Sequence, residues 1–320
     1  MLFRLAGFFA MLVVGAAALA QGYPVKPVRL IVADAAGGAP DQLGRILAQK
    51  LSEALGQQFI VDNRPGAAGV LGADIASKAP ADGYTLLLTT TSIYALIPSL
   101  KKNLPYDPVK DFVAISRIAT ASNVLVVNAT LPVNSVAELI ALAKSRPGTY
   151  NYASAGIGSP AHLAGEMLNL LAGIKLTHVP YKGAAPGLLD VIAGNPHLII
   201  TSPISAAGHM NAGRVRALAT TGAQRNPRLP DLPTIADTVP GYEISQTWGL
   251  AAPAGTPPAI ITRLADETAK AIRLADVNER VLGMGAVPVG GTPGEFQSYI
   301  ERERQRLGDV IARTGIELAD

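Results

Sequence analysis

The sequence predicts an α/β protein folded as two doubly wound lobes joined by two hinge strands, and three observations carry that reading. The first is the stretch Val28 to Leu47, where Val28, Leu30, Ile31 and Val32 form a short apolar run, Gly37 and Gly38 allow a turn, and Leu43, Ile46 and Leu47 follow at helical spacing. The second is a copy of the arrangement 120 residues later: Tyr150 to Ser154, then Ala155-Gly156-Ile157-Gly158-Ser159-Pro160, then Leu163, Met167, Leu168 and Leu171. The third is length, since 320 residues suffice for two substantial cores.

In both copies a proline, Pro40 or Pro160, suits the first helical turn, where its missing N–H costs nothing, and Ser159 is a good N-cap. A strand, a glycine loop and a helix N-terminus together aim N–H groups and a positive dipole end at one spot. Either loop alone reads equally well as an ordinary βα turn. Two in matching positions point to an anionic ligand held between the lobes.

Residues 1–20 read as a cleaved signal peptide. Arg4 supplies the positive start, Leu5 to Ala20 is an uncharged run too short for a membrane span, and Ala18-Leu19-Ala20 is a small-residue site that places cleavage after Ala20. The expected location is the periplasm. With no cysteine, the fold cannot rest on disulfides, nor its chemistry on thiolates. The leader takes only Arg4 from 27 basic residues, which leaves a small excess over the 24 acidic ones and no basic run, so nucleic acid is not an expected partner. Aromatic residues make up 5% of the chain and Trp248 is the sole tryptophan, which disfavours a stacking platform for sugars or bases.

Along the mature chain, Phe59 to Asp62 is the next expected strand and Ala67 to Lys78 a small-residue helix. The glycines at 66, 69 and 72 have the wrong spacing for a dinucleotide fingerprint and fit close helix packing. Tyr84 to Leu88 is a third strand, ending on Thr89, Thr90, Thr91 and Ser92. Their hydroxyls are either ligand contacts or caps. Phe112 to Ile118 and Val124 to Asn128 flank Ala121-Ser122-Asn123, read as a passage between lobes. Ser135 with Glu138, and Thr292 with Glu295, are capping boxes. Further strands are expected at Leu176 to Pro180, Leu198 to Thr201 and Val215 to Thr220, with helices at Ala185 to Ala193 and Ser205 to Asn211, making a second, mainly parallel sheet. Gln224 to Gly241 reads as a surface excursion, Gln246 to Ala252 as a returning strand, and helices follow to about Arg273 and Arg313, both packing on the first lobe. This gives lobe 1 as 21–121 with 247–320, and lobe 2 as 122–246.

Enzyme signatures are absent: there is no G-x-S-x-G turn and no H-E-x-x-H. His162 and Glu166 share a helix face without a third ligand, and His178, His197 and His209 show no ligand spacing. No catalytic residue, metal site or cofactor is expected. A secreted α/β hydrolase acting on small acids is the alternative from another class, and it lacks an activated nucleophile.

A series of ordered motifs is more specific: Y-P-V-K-P-V-R-L-I-V from Tyr23, G-G-x-x-D at Gly37 to Asp41, V-D-N-R-P-G-A-A-G from Val61, A-D-G-Y-T-L-L from Ala81, L-P-Y-D-P-V-K-D-F from Leu104, A-G-x-G-S from Ala155, V-P-Y-K-G from Val179 and L-A-A-P-A-G-T-P from Leu250. Over essentially the whole mature chain this resembles the Bug family, the TctC-like solute receptors of tripartite tricarboxylate transporters. The resemblance implies a type II periplasmic-binding-protein fold, a small carboxylate in the cleft, and two integral membrane subunits as partners of a monomeric receptor. An ABC importer or a sensor kinase is the alternative client. It also implies that the carboxylate is held by main-chain N–H groups and waters at Ala35, Ala36, Gly37, Gly38 and Ala39 and at Ala155, Gly156, Ile157, Gly158 and Ser159. Asp41, Thr90, Ser92, Ser154 and Thr201 are the side chains expected beside them. Two departures stand out: Ala35-Ala36 replaces the family's usual prolines, and His197 to Thr201 replaces a D-L-M-F-D strand, which argues against a cationic distal group on the ligand.

Overall fold

The computed structural model describes residues 22–101, 103–157, 159–181 and 184–314; the signal-peptide reading, Gly158 and Lys182 lie outside them. The founding strand β1 (Val28–Val32) pairs in parallel with β2 (Phe59–Asn63) on one side and β3 (Thr85–Thr90) on the other. Burial from both faces explains its unbroken apolar run. Helix α1 (Ala39–Leu55) starts after Gly38 with a proline in its first turn, turns Leu43, Ile46, Leu47 and Leu51 inward, and stops at Gly56, whose left-handed φ of 73° lets its N–H cap Ser52 O. A 3₁₀ turn (Ala67–Gly69) leads into α2 (Val70–Ser77). A Cβ on Gly72 would sit 2.5 Å from the Ala33 Cβ, so this glycine serves helix packing, as its spacing suggests. The expected third strand runs two residues further than the apolar run, and Ser92–Leu96 forms a π-helical turn continued by α3 (Ile97–Leu100).

The chain then changes sheets. Strand β4 (Phe112–Ser122) belongs to the first sheet and β5 (Val124–Asn128) to the second, so Asn123 is the crossing. There follow α4 (Val136–Ser145), β6 (Asn151–Ser154), α5 (Pro160–Ala172), β7 (Thr177–Pro180), α6 (Ala184–Ala193), β8 (Leu198–Thr201), α7 (Pro203–Asn211) and β9 (Val215–Thr220). The return crossing is β10 (Ser245–Pro253), after which come α8 (Pro258–Arg273), α9 (Ala275–Gly283), the short β11 (Val287–Pro288) and α10 (Pro293–Thr314). Helix α9 and β11 had no expected counterpart.

The first sheet has the order β11-β4-β10-β3-β1-β2 and the second β7-β6-β8-β5-β9. Apart from β11, each sheet lists its own strands as second, first, third, guest, fourth. The guest, β10 or β5, is the strand that has just crossed, and it runs antiparallel to both neighbours. The second sheet is therefore not simply parallel: β6, β7, β8 and β9 share a direction and β5 opposes them.

Two expectations are corrected by packing. The segment read as a surface excursion, Gln224 to Gly241, is anchored: Ile235 and Val239 within it are at most 3% exposed, and just beyond it the buried Tyr242 donates its hydroxyl to Ala164 O at 3.0 Å. Helix α10 does not pack on the first lobe alone. Its Phe296, Ile300, Leu307 and Ile311 join one buried cluster with Tyr94 and Leu96 of the first region and Tyr152, Leu163, Met167 and Leu168 of the second.

Candidate functional site

A cleft of about 370 Å³ opens where the two sheets meet, within the range of roughly 300–1,000 Å³ common for small-molecule sites. A larger hollow of about 440 Å³ around Leu104, Asp107 and Arg304 lies broadly open and touches neither glycine loop. The floor of the cleft is the crossing itself, with Ala121, Asn123 and Gln246. Its walls are helix N-termini: Ala39 and Pro40 of α1, Ser159, Pro160 and Ala161 of α5, and Ser202, Pro203 and Ser205 at the start of α7. All three helices carry proline in the first turn, and the Ser159 hydroxyl caps α5 by accepting the His162 N–H at 3.2 Å. Three positive dipole ends thus meet in one cavity, where an anion is stabilised without a cationic side chain. Among the described lining residues there is no Lys, Arg or His, and Asp34 is the only charged one.

Of the residues expected from the sequence, Ala39, Ser92, Ala155, Ser159 and Thr201 line this cleft. Ala35, Ala36, Gly37, Gly38, Gly156 and Ile157 lie in the loops beside it, and Gly158 is outside the described residues. Two of the expected side chains face inward. Asp41 is 3% exposed, and its carboxylate accepts the Gly37 N–H at 2.8 Å, Arg45 Nε at 3.0 Å and Asn63 Nδ2 at 3.0 Å. Burial alone would raise its pKa, but the hydrogen bonds from Arg45, Gly37 and Asn63 outweigh it and hold the carboxyl below its ordinary value. Ser154 is fully buried, accepts the Gly156 N–H at 3.1 Å and lies 2.6 Å from His178 Nε2. Thr90 accepts the Ile93 N–H at 3.4 Å and so acts as a cap.

These internal bonds decide which loop donors remain. The N–H groups of Ala35, Gly37, Gly38, Gly156 and Ser159 are all bonded within the chain. Among the described residues those of Ala36, Ala39, Ala155 and Ile157 have no protein partner. The glycines that need left-handed backbone are Gly37 (φ 86°) and Gly156 (φ 122°), whereas Gly38 is extended at φ −71°.

Beneath the second loop, the His162 and His178 rings stack at 3.9 Å between centroids, and the Tyr152 ring also stacks on His178 at 5.0 Å. Glu166, four residues from His162, instead accepts the Tyr152 hydroxyl at 2.6 Å. His197, at the first position where the resemblance led us to expect an acid, accepts the Asn151 N–H at 3.1 Å and serves strand pairing. No group of three or more metal-ligating side chains occurs among the described residues. Sequence reasoning missed Asp34, Asn123, Gln246, Trp248, Met284 and the α7 N-terminus. Only the last left a local signal, since Ser202-Pro203 after an apolar strand repeats the pattern of Ser159-Pro160.

Known proteins share this fold. Residues 43–316 match the tripartite tricarboxylate transporter family receptor. Protein BugT of Bordetella pertussis is 36% identical over 313 residues, covering 97% of this chain and 96% of BugT. The solved structure of R. palustris Rpa4515 with adipate has a TM-score of 0.83 at 39% identity, covering 92% of this chain and 99% of that one. MatC (Rpa3494) from Rhodopseudomonas palustris, with bound malate, has a TM-score of 0.77 at 28% identity, covering 90% of this chain and all of MatC. The fold is that of the periplasmic solute-binding proteins of this group, whose members are receptors and not enzymes. The chain belongs to the tripartite tricarboxylate transporter receptor family, which includes the Bug proteins.

Proposed function

We propose that this chain is a periplasmic receptor that binds one small carboxylate in the cleft and delivers it to a tripartite tricarboxylate-type transporter with two integral membrane subunits. The observation that carries the reading is the meeting of three helix N-termini in a cavity whose described lining has no basic side chain. A carboxylate suits such a site, because charge-assisted hydrogen bonds contribute roughly 1.5–3 kcal/mol each and a partly buried helix end up to about 2 kcal/mol. A few of these reach the roughly 8 kcal/mol of micromolar binding after losses of motion and hydration. The proposed lobes are 21–121 with 247–320 and 122–246, a division supported by the change of sheet between β4 and β5 and the return on β10, and the receptor acts as a monomer exported by loss of residues 1–20. Adipate and malate, bound by two of the related structures, are the first solutes to try.

Titration calorimetry of ligand-free protein with these acids tests the reading, followed by mass analysis of recovered solute. One-to-one binding and an unchanged solute are expected; steady conversion would overturn it. Asp34 supports a second reading, in which the solute also carries a cationic group. It is exposed at the cleft wall and its Oδ1 accepts only the adjacent Ala35 N–H. Asp34→Asn separates the two: on the carboxylate reading it removes a like charge and tightens binding about two- to fivefold, the scale of one exposed charge near a helix end. Weaker binding would favour the cationic solute.

A further inference from the structure

The strands that cross between the sheets have two faces, and the solute cleft uses one of them. Side chains alternate along a strand. Ala121 of β4 and Gln246 and Trp248 of β10 line the cleft, while their neighbours Thr120, Ser122 and Ser245 line a hollow of about 280 Å³ on the opposite face. Helix α10 reaches that face through Tyr299, whose hydroxyl lies 2.9 Å from Thr247 Oγ1, itself 3.1 Å from Thr120 Oγ1, so the ring is tied to both strands. Over this ring, 4.5 Å from its centre, sits the guanidinium of the half-buried Arg117. A contact of this kind uses the charge and leaves the N–H donors unspent. Among the described residues the Arg117 side chain makes no hydrogen bond and no ion pair.

Arg117 and Tyr299 also line a second hollow, of about 390 Å³, together with Gly290, Gly291, Glu295 and Arg302. Glu295, Tyr299 and Arg302 share one face of α10 at helical spacing. The Glu295 carboxylate is engaged at the start of its own helix, where it accepts the Thr292 N–H at 2.7 Å and the Thr292 hydroxyl at 3.0 Å. Arg302 is exposed and has no ion pair among the described residues. The loop before the helix is pinned to β4, since the Val289 N–H donates to Ile118 O at 3.0 Å and the fully buried Ser116 donates its hydroxyl to Gly291 O at 2.9 Å. The N–H groups of Gly290 and Gly291 have no protein partner among the described residues. Two guanidinium groups and two backbone donors are thus gathered against a single carboxylate that is already bonded. The hollow at Leu104 differs, because Lys101 and Arg304 are matched there by Asp107 and Asp111.

We propose that this hollow behind the crossing binds a small oxyanion, a carboxylate or phosphate group, separately from the cleft solute and with Arg117 as its principal donor. The planar guanidinium fork matches two oxygens of such a group, and its seat over Tyr299 removes in advance part of the side-chain freedom that binding would otherwise take. The two sites hold anions by different means, helix ends in the cleft and guanidinium groups behind it.

The test follows the amide NMR signals of Gly290 and Gly291 while sodium phosphate replaces sodium chloride at constant ionic strength. In wild type both signals are expected to shift and to saturate at millimolar phosphate. Arg117→Gln should raise the half-saturation concentration about tenfold, and Arg302→Gln, at an exposed position, about two- to threefold. Sodium acetate titrated in the same way separates the ligand classes: saturation by phosphate alone assigns a phosphate group, by acetate alone a carboxylate, and by both an oxyanion of either kind. The amides of Ala36, Ala39 and Ala155 report the cleft separately, so an anion entering there is told apart. Shifts at the two glycines that grow without saturating for both anions, or saturable shifts confined to the cleft alanines, would overturn the proposal. Half-saturation unchanged in both variants would overturn it as well. Should Arg117→Gln fail to fold, Arg302→Gln decides, and a titration there identical to wild type counts against the site.

Discussion

Asp41, in the first turn of α1, and Ser154, at the end of β6, do equivalent work from opposite sides of their loops, Asp41 accepting the Gly37 N–H of the loop before it and Ser154 the Gly156 N–H of the loop after it. Their polar atoms are spent on shaping the loops. Ser154 is in turn fixed by His178, which burial first and His162 second push down to about 4, against an ordinary value near 6.5. The sign of the pH effect follows. Below pH 6.5 the unfolded chain takes up a proton that the folded ring refuses, so the contribution is fully present above 6.5 and is lost as pH falls from 6.5 toward 4. The upper bound is about 1.4 kcal/mol per pH unit, reduced because the ring is partly exposed. Thermal melts of wild type should lose stability between pH 6.5 and 4.5, and His178→Gln should flatten that slope. An identical slope in the variant would mean the stacked histidines do not titrate as a buried pair.

At the scale of elements, the helix starts were legible because caps act within a few residues. Ser135 accepts the Glu138 N–H, Ser159 the His162 N–H, and Thr292 and Glu295 bond reciprocally. One detail differed: the Glu138 carboxylate accepts from Asn134 N–H rather than Ser135 N–H. Loop conformation was less legible, since Gly38, as the N-cap of α1, is extended and needs no glycine for its φ. A Cβ there would lie 3.4 Å from Ala35 O and 3.6 Å from Pro40 Cδ, close but tolerable. Gly38→Val should therefore fold with a melting point near that of wild type, yet weaken carboxylate binding about tenfold, or 1.4 kcal/mol, by adding bulk over the N-terminus of α1. Wild-type affinity in a folded Gly38→Val protein would show that the solute does not approach this helix end.

Across the whole molecule, α10 changes what the hinge means. Phe296, 1% exposed, packs edge-on to Tyr94 at 6.2 Å between ring centres, in the buried cluster that also holds Tyr152 and Leu168. Behind the cleft the two regions share one apolar core. Phe296→Ala should cost about 3–5 kcal/mol, the usual range for a buried aromatic, and should lower a single unfolding transition. Two separate transitions, with only one moved by the substitution, would mean that the regions unfold independently and that the shared cluster does not couple them.

The sequence by itself determined the two strand, loop and helix units, their caps, the crossing near Asn123 and the resemblance to a receptor family, because each is written in neighbouring residues or in ordered motifs. It also indicated correctly that Gly72 serves packing. The tertiary structure alone decided that β5 and β10 enter the opposite sheets as antiparallel guests, that α10 spans both regions, and that Trp248 and Thr201, from different sheets, line one cleft while their buried polar atoms stay unpaired. The physical reason is range. Capping and turn formation are settled over a few residues, whereas strand order and the loss of a hydrogen-bond partner depend on what distant segments bring to the same place.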